Sequence, residues 1–163
     1  MYQSHCVRRV VAACLLLIAP LSVADADGAK AACRELVTGY AFHRDRADGD
    51  AVGALFTEDA TFDLMGEVFR GRSAIRARVD AGASGPVYRH LMSTVHIELT
   101  GPETARGVSY VTVYSAPGPL PATLAAWAAI GEYHDDFVRT PDGWKIQRRT
   151  FVPTFFPPAS ESD

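Results

Sequence analysis

The groups in this sequence that could do chemistry at neutral pH are imidazoles, carboxylates and phenols, and few of them sit where they could act together. His90 carries an imidazole that titrates near neutral pH and can act as general acid or base. It opens a run of strand-forming residues. Strict alternation places His90 with Met92, Thr94, His96 and Glu98, and places Leu91, Val95, Ile97 and Leu99 on the opposite face. The second set reads as the core face. His90 therefore reaches an interior only if a bulge near Met92-Ser93 reverses the alternation. Tyr40 lies on the apolar face of a helix, where a plain core tyrosine is the competing reading. Asp45 follows five residues later, about 140° around the helix, so the two share no face unless the helix ends or bends between them. Asp45 as a capping or solvated carboxylate is the bland alternative.

Other groupings are weaker. His134, Asp135 and Asp136 suggest a metal site, but adjacent strand residues point to opposite faces, and His134 with Asp136 supplies too few ligands. No metal is expected. Cys33 reads as a small apolar helix residue rather than a nucleophile. Arg148-Arg149 reads as a solvated strand end or an ion-pair site. There is no glycine-rich phosphate loop, no H-E-x-x-H and no paired C-x-x-C.

The elements that must position these groups can be read from periodicity. Ala29 to Ala47 forms a helix, with Cys33, Leu36, Val37, Tyr40 and Ala41 on one face. Asp48-Gly49-Asp50 breaks it, and Asp50 caps a short second helix over Ala51 to Phe56. Ala60 to Leu64 and Val68 to Arg70 make a hairpin turned by Gly66-Glu67. Ser73 to Ala81 is a third helix carrying Ile75 and Val79. Strands follow over Tyr88 to Thr100, Thr104 to Ser115, Ile130 to Arg139 and Trp144 to Val152, separated by Gly101-Pro102, a proline-rich segment at Pro117 to Pro121, and Pro141-Asp142-Gly143. Helices first and a long antiparallel meander after them predict an α+β fold, with helices on one face of a curved sheet. The residues from Pro153 onward read as a loose tail.

With 163 residues, 48% of them apolar, the chain suits one domain with a core of useful size. A net charge of −3 without basic runs argues against a nucleic-acid partner. At the start, Arg8-Arg9 precede the uncharged apolar stretch Val10 to Val23, which is too short to span a bilayer, and Ala24-Asp25-Ala26 offers a cleavage site. This predicts a Sec signal peptide over residues 1–26, an exported domain over 27–152 and a tail over 153–163, with no membrane association after cleavage. Cleavage leaves Cys33 as the lone cysteine and brings the net charge to about −4.

Four stretches, taken in order, resemble a known family: DGDAVGALF with EDA (48–56, 58–60), FRGRSAI (69–75), YRHLMS (88–93), and GEYHD with DGWKI (131–135, 142–146). They are similar to the SnoaL-like family of the nuclear transport factor two-like superfamily, over Ala32 to Val152. The resemblance implies a cone of curved antiparallel sheet around N-terminal helices, with an internal apolar cavity and no cofactor. The superfamily includes ketosteroid isomerase, scytalone dehydratase, bile-acid dehydratase and polyketide cyclases, beside members that only bind partners, so the fold alone does not assign an activity.

The dehydratase branch looks closest. Tyr40 and Asp45 have the Tyr-x4-Asp spacing of the bile-acid dehydratases, and His90 stands where their histidine would be. The resemblance implies His90 as general base or acid, Tyr40 as donor to a developing oxyanion, and Asp45 as the group that orients His90. It implies substrate contacts from Tyr114, Ser115, Tyr133, His134 and Asp135. Two positions depart from the pattern: Ser115 or Tyr114 replaces a late His or Asp, and Glu132 with His134 replaces small polar residues. Two functions follow. One is a lyase or isomerase acting on a small apolar oxygenated molecule, and the other is a non-catalytic module that binds a small hydrophobic ligand or a protein. Pairing through the outer face of the sheet, as in related folds, implies a homodimer.

Overall fold

The computed structural model describes residues 23–158. Most of the expected signal peptide and the end of the tail lie outside the described residues. No described helix is long and apolar enough to cross a membrane.

Helix α1 spans Val23–Arg44, and Ala29, Cys33, Leu36, Val37, Tyr40, Ala41 and Arg44 are buried along one stripe. The expected face is present, and Arg44 extends it. The helix ends in a Schellman motif. Ala47 takes the left-handed conformation (φ 53°), the Asp48 amide donates to the His43 carbonyl, and the Ala47 amide donates to the Arg44 carbonyl. Helix α2 (Gly49–Ala54) is capped by Asp48 and not by Asp50, because the Asp48 carboxylate is the one that accepts the Ala51 amide at 3.0 Å. Strands β1 (Phe56–Leu64) and β2 (Glu67–Arg70) form the expected hairpin, and helix α3 (Arg72–Asp80) buries Ile75 and Val79.

The long strands are β3 (Val87–Leu99), β4 (Thr104–Ala116), β5 (Trp127–Thr140) and β6 (Gly143–Phe155). The six strands form one sheet in the order β2-β1-β6-β5-β4-β3, antiparallel throughout except for the β1–β6 pair. Strand β6 runs through Pro153, where a loose tail was expected. The β1 pairing ends at Phe151, so one side of β6 is free beyond it and a residue without an N–H is tolerated.

Register shifts in β3, β4, β5 and β6 curve the sheet around α1. Gly131 lies at one of them, and a Cβ there would stand 2.4 Å from the Val152 carbonyl oxygen. The core lies between the concave face and the helices and includes Val37, Val52, Phe56, Ile75, Phe137 and Ile146. Towards the ends of α1 and α3 the concave face is not filled, and a cavity remains there.

Candidate active site

His90 enters this cavity through a one-residue bulge. The pairing of β3 with β4 slips between Ser93 and His96, and Thr94 takes a left-handed backbone (φ 47°). Before the bulge Tyr88, His90 and Met92 face inward. After it, Val95, Ile97 and Leu99 do. The condition read from the sequence for an inward His90 is thus met, one to two residues later than expected.

Asp45 lies in the last turn of α1, where the helix unwinds towards β3. Its carboxylate accepts two hydrogen bonds from His90: the backbone amide at 3.0 Å and ring Nδ1 at 2.6 Å. Both side chains are over nine-tenths buried. An ionised carboxylate only accepts, so Nδ1 carries a proton, and the remaining nitrogen, Nε2, is left for a molecule in the cavity. Tyr40 approaches from one turn earlier in α1, its ring edge-on to His90 at 6.2 Å between centroids. Tyr40 and Asp45 need not share a helical face, because His90 sits where the helix ends and meets both.

The cavity has a volume of about 190 Å³. Its apolar wall comes from Phe62 and Leu64 of β1, Ile75 and Val79 of α3, and Val113, Ala129 and Phe151 of the sheet. Tyr40, Tyr88, His90, Tyr133, Arg44 and Arg78 supply its polar groups. A hydrophobic cavity of roughly 150 Å³ accommodates benzene, so this one suits a single-ring molecule with a few substituents.

Beneath the floor lies a second pair. Arg149 donates from Nε and Nη2 to the two oxygens of Asp135, each at 2.7 Å, with both side chains closed to solvent. The guanidinium carbon lies 4.3 Å from the Tyr40 ring centroid and 4.5 Å from that of Tyr133. Burial works against the guanidinium's charge, but Asp135 more than offsets it, and the pKa is held above its ordinary value. Burial pushes the Tyr133 hydroxyl well above the usual tyrosine range. Tyr40 reinforces that shift through its charge and a hydrogen bond, while Arg149 opposes it.

The remaining sequence expectations divide. Tyr133 lines the cavity. Asp135 faces inward but is consumed by Arg149 behind the wall. His134 is on the outer face of β5, paired with Glu132 at 2.7 Å, because alternation along β5 stays strict from Gly131 to Phe137. The expectation that His134 contacts a molecule in the cavity is corrected accordingly. Tyr114 and Ser115 line a separate groove of about 180 Å³ with Leu120 and Leu124 of the proline-rich loop, and only Tyr88 borders both spaces. Among the described residues, no cluster of three His, Cys, Asp or Glu is placed to hold a metal.

Arg44, Arg78, Tyr88 and Arg149 were not among the sequence candidates. Arg44 could have been found, since it stands four residues after Tyr40 on the same stripe. Arg149 was read with Arg148 as a solvated strand end or an ion-pair site; it forms an ion pair with Asp135, and a bulge in β6 turns it inward: Asp136 pairs with Arg148, but Phe137 pairs with Ile146.

Residues 28–150 match the SnoaL-like domain family. The chain belongs to the SnoaL-like family. An uncharacterized protein of Mycobacterium tuberculosis is 28% identical over 140 residues, covering 83% of this chain and 91% of its own. Among solved structures, a protein assigned as a scytalone dehydratase from Novosphingobium aromaticivorans superposes with a TM-score of 0.72 at 19% identity, over 87% of this chain and 100% of that one. A hexachlorocyclohexane dehydrochlorinase superposes with a TM-score of 0.73 at 14% identity, over 86% and 95%. At these identities the likeness is one of fold: an NTF2-like, cystatin-like cone of helices and curved sheet. In this SnoaL-like chain, the concave side of that cone holds the Asp45–His90 pair.

Proposed function

We propose that this protein is a cofactor-independent lyase or isomerase that moves a proton on a small apolar oxygenated molecule held in the cavity. The observation that carries this reading is the buried Asp45–His90 pair, with its one uncommitted ring nitrogen at the wall of an apolar pocket. For a dehydration, His90 Nε2 takes a proton from a carbon next to a carbonyl. The C–H electron pair becomes the new C=C bond as the C–O bond to a neighbouring hydroxyl breaks. The imidazolium returns the proton to the departing oxygen, and water leaves. Asp45 holds the ring's tautomer and stabilises the imidazolium while it exists. Tyr40 donates to the carbonyl oxygen as charge develops there. The Arg149 charge below both phenol rings favours that donation.

The dehydratase and dehydrochlorinase named among the structural neighbours share a reaction type, the loss of a proton and a leaving group from one molecule, and this supports the reading. The experiment is proton exchange in D2O, followed by NMR, on small cyclic ketones and β-hydroxyketones. Exchange or alkene formation should require the protein and fall about 10²–10⁴-fold in His90→Gln. Binding of the same compounds, equal in wild type and His90→Gln and without exchange, would instead establish a binding module.

Two further parts of the proposal concern the whole chain. Export through residues 1–26 is supported by the basic start, the apolar stretch and Ala24-Asp25-Ala26, and predicts a mature N-terminus at Asp27 in the exported fraction. A homodimer through the outer sheet face is supported by exposed Leu91, Tyr110, Val152 and Phe155 on that face. Light scattering that gives the monomer mass at working concentration rules the homodimer out.

A further inference from the structure

The cavity contains two positive charges that the proposed proton transfer does not use. Arg44 is 7% exposed, and its guanidinium lies 4.6 Å from the Tyr88 ring centroid. Arg78 is half-buried, 5.9 Å from the Phe69 ring centroid. Both line the cavity, and neither has an ion pair or hydrogen bond to a carboxylate among the described residues. Arg72, Arg76, Arg148 and Arg149, by contrast, each meet an Asp or Glu. No Asp or Glu lines the cavity, because Asp45 is taken up by His90 and Asp135 by Arg149.

A buried guanidinium without a counter-ion is costly to fold around, so its retention calls for a ligand that supplies the missing charge. A guanidinium presents a planar fork of donors that fits a carboxylate in two-bonded fashion. The Tyr88 ring touches both Arg44 and the His90 ring, the latter at 6.1 Å between centroids. One aromatic ring therefore separates the positive end of the cavity from the proton-transferring end.

We propose that the molecule turned over here is a carboxylic acid of about one ring, its carboxylate held by Arg44 and Arg78 and its apolar body against Phe62, Ile75 and Phe151, with the reacting carbon at His90. This inference rests on reading the cavity as the reaction site and narrows its substrate class to anions.

The test uses benzoate and its neutral isostere benzamide as probes, titrated calorimetrically into the full chain at low ionic strength. Benzoate should bind about tenfold more tightly or better. Arg78→Gln and Arg44→Met should each remove most of that preference, lowering benzoate affinity far more than benzamide affinity. Arg44→Met should also leave the melting temperature unchanged or raise it, since an unpaired buried charge is removed. A purely structural Arg44 would instead lower the melting temperature on substitution and leave the benzoate preference intact. That result, or equal binding of the two probes by the wild type, overturns the inference. Arginine-dependent benzoate binding with no His90-dependent turnover of any carboxylate would leave a carboxylate-binding cavity and overturn both the turnover of an acid and the proton-transfer reading. Turnover of neutral ketones with no preference for acids would overturn this inference and sustain the proton-transfer reading.

Discussion

Asp135–Arg149 and Asp45–His90 are both buried pairs of a carboxylate with a basic group, one layer apart, and they differ in what is left over. Asp135 and Arg149 meet through two 2.7 Å bonds and are closed to solvent, with only Arg149 Nη1 left without a hydrogen bond among the described residues. Their charges are fixed, because a guanidinium does not release its proton in a protein. Asp45 grips His90 by its ring and its backbone, and leaves Nε2 uncommitted on a residue that lines the cavity. An imidazole can take up a proton and give it back. The first pair can set a field and anchor two strands. The second can carry out a reaction. Burial of a charged pair therefore does not mark a catalytic group by itself; an uncommitted, titratable atom on a reachable surface does.

The largest expected effect separates the two pairs by stability. Asp135→Asn leaves the Arg149 charge buried without its counter-ion and should cost about 3–5 kcal/mol in denaturant unfolding. Replacing both residues together, as Asp135→Leu with Arg149→Met, should cost less than the sum of the single changes, because no orphaned charge remains. Strict additivity would mean that the pair is not coupled. The second effect is on rate. Asp45→Asn should lower turnover by about 10²–10⁴-fold through the wrong His90 tautomer, with a stability cost of only about 1–3 kcal/mol. If Asp45→Asn proves the more destabilising change and Asp135→Asn the more damaging to rate, the division of labour argued above is reversed.

Most of the fold was legible in the sequence, because the apolar stripe of α1 and the alternation within each strand are local patterns that tertiary contacts reinforce. The site was legible only in part, and two of the losses have one cause. Strict alternation predicts which face a residue takes until a single extra residue enters a strand. Thr94 in β3 reverses the pattern for His90, and the slip between Ile146 and Arg148 in β6 reverses it for Arg149. Neither bulge has a sequence signature: Thr94 is a β-branched residue in a left-handed conformation it rarely adopts. His134 was placed in the site by the family resemblance, and β5, which has no slip there, sends it outward by alternation alone. The end of α1 was also misjudged: the helix was expected to run to Ala47, but it ends at Arg44, and Ala47 itself takes the left-handed turn.

The bulge gives the third test. Thr94→Gly keeps the extra residue and relieves a strained backbone, so stability should stay within about 1 kcal/mol of wild type and turnover should persist. Deleting Thr94 removes the extra residue, and unbroken alternation then keeps His90 and Met92 on the same face as Val95, Ile97 and Leu99. Turnover should therefore persist in the deletion, with circular dichroism still reporting the sheet. A deletion variant that folds and loses turnover would show that the kink at Thr94, and not the residue count alone, positions His90.

The smallest effect concerns a group buried close to Asp135 that takes no part in either pair. Burial first, then the Asp135 charge, pushes the Cys33 thiol up to about 12 from its ordinary 9.0. The folded protein keeps that proton where the unfolded chain releases it. The stability so conferred is complete below about pH 9 and declines as pH rises towards 12. Tyr133 behaves alike, but its decline begins only near its ordinary value of 10.0, because burial raises it too. Between pH 9 and 10 the slope belongs mainly to Cys33. Cys33→Ala should flatten the stability curve in that interval, and Tyr133→Phe should flatten it only above 10. The same burial keeps the thiol protonated at pH 8, so native Cys33 should resist iodoacetamide while the unfolded chain reacts readily. Rapid alkylation of the native protein would mean that α1 opens away from the sheet, and both buried pairs would then be exposed to water as often as the thiol is.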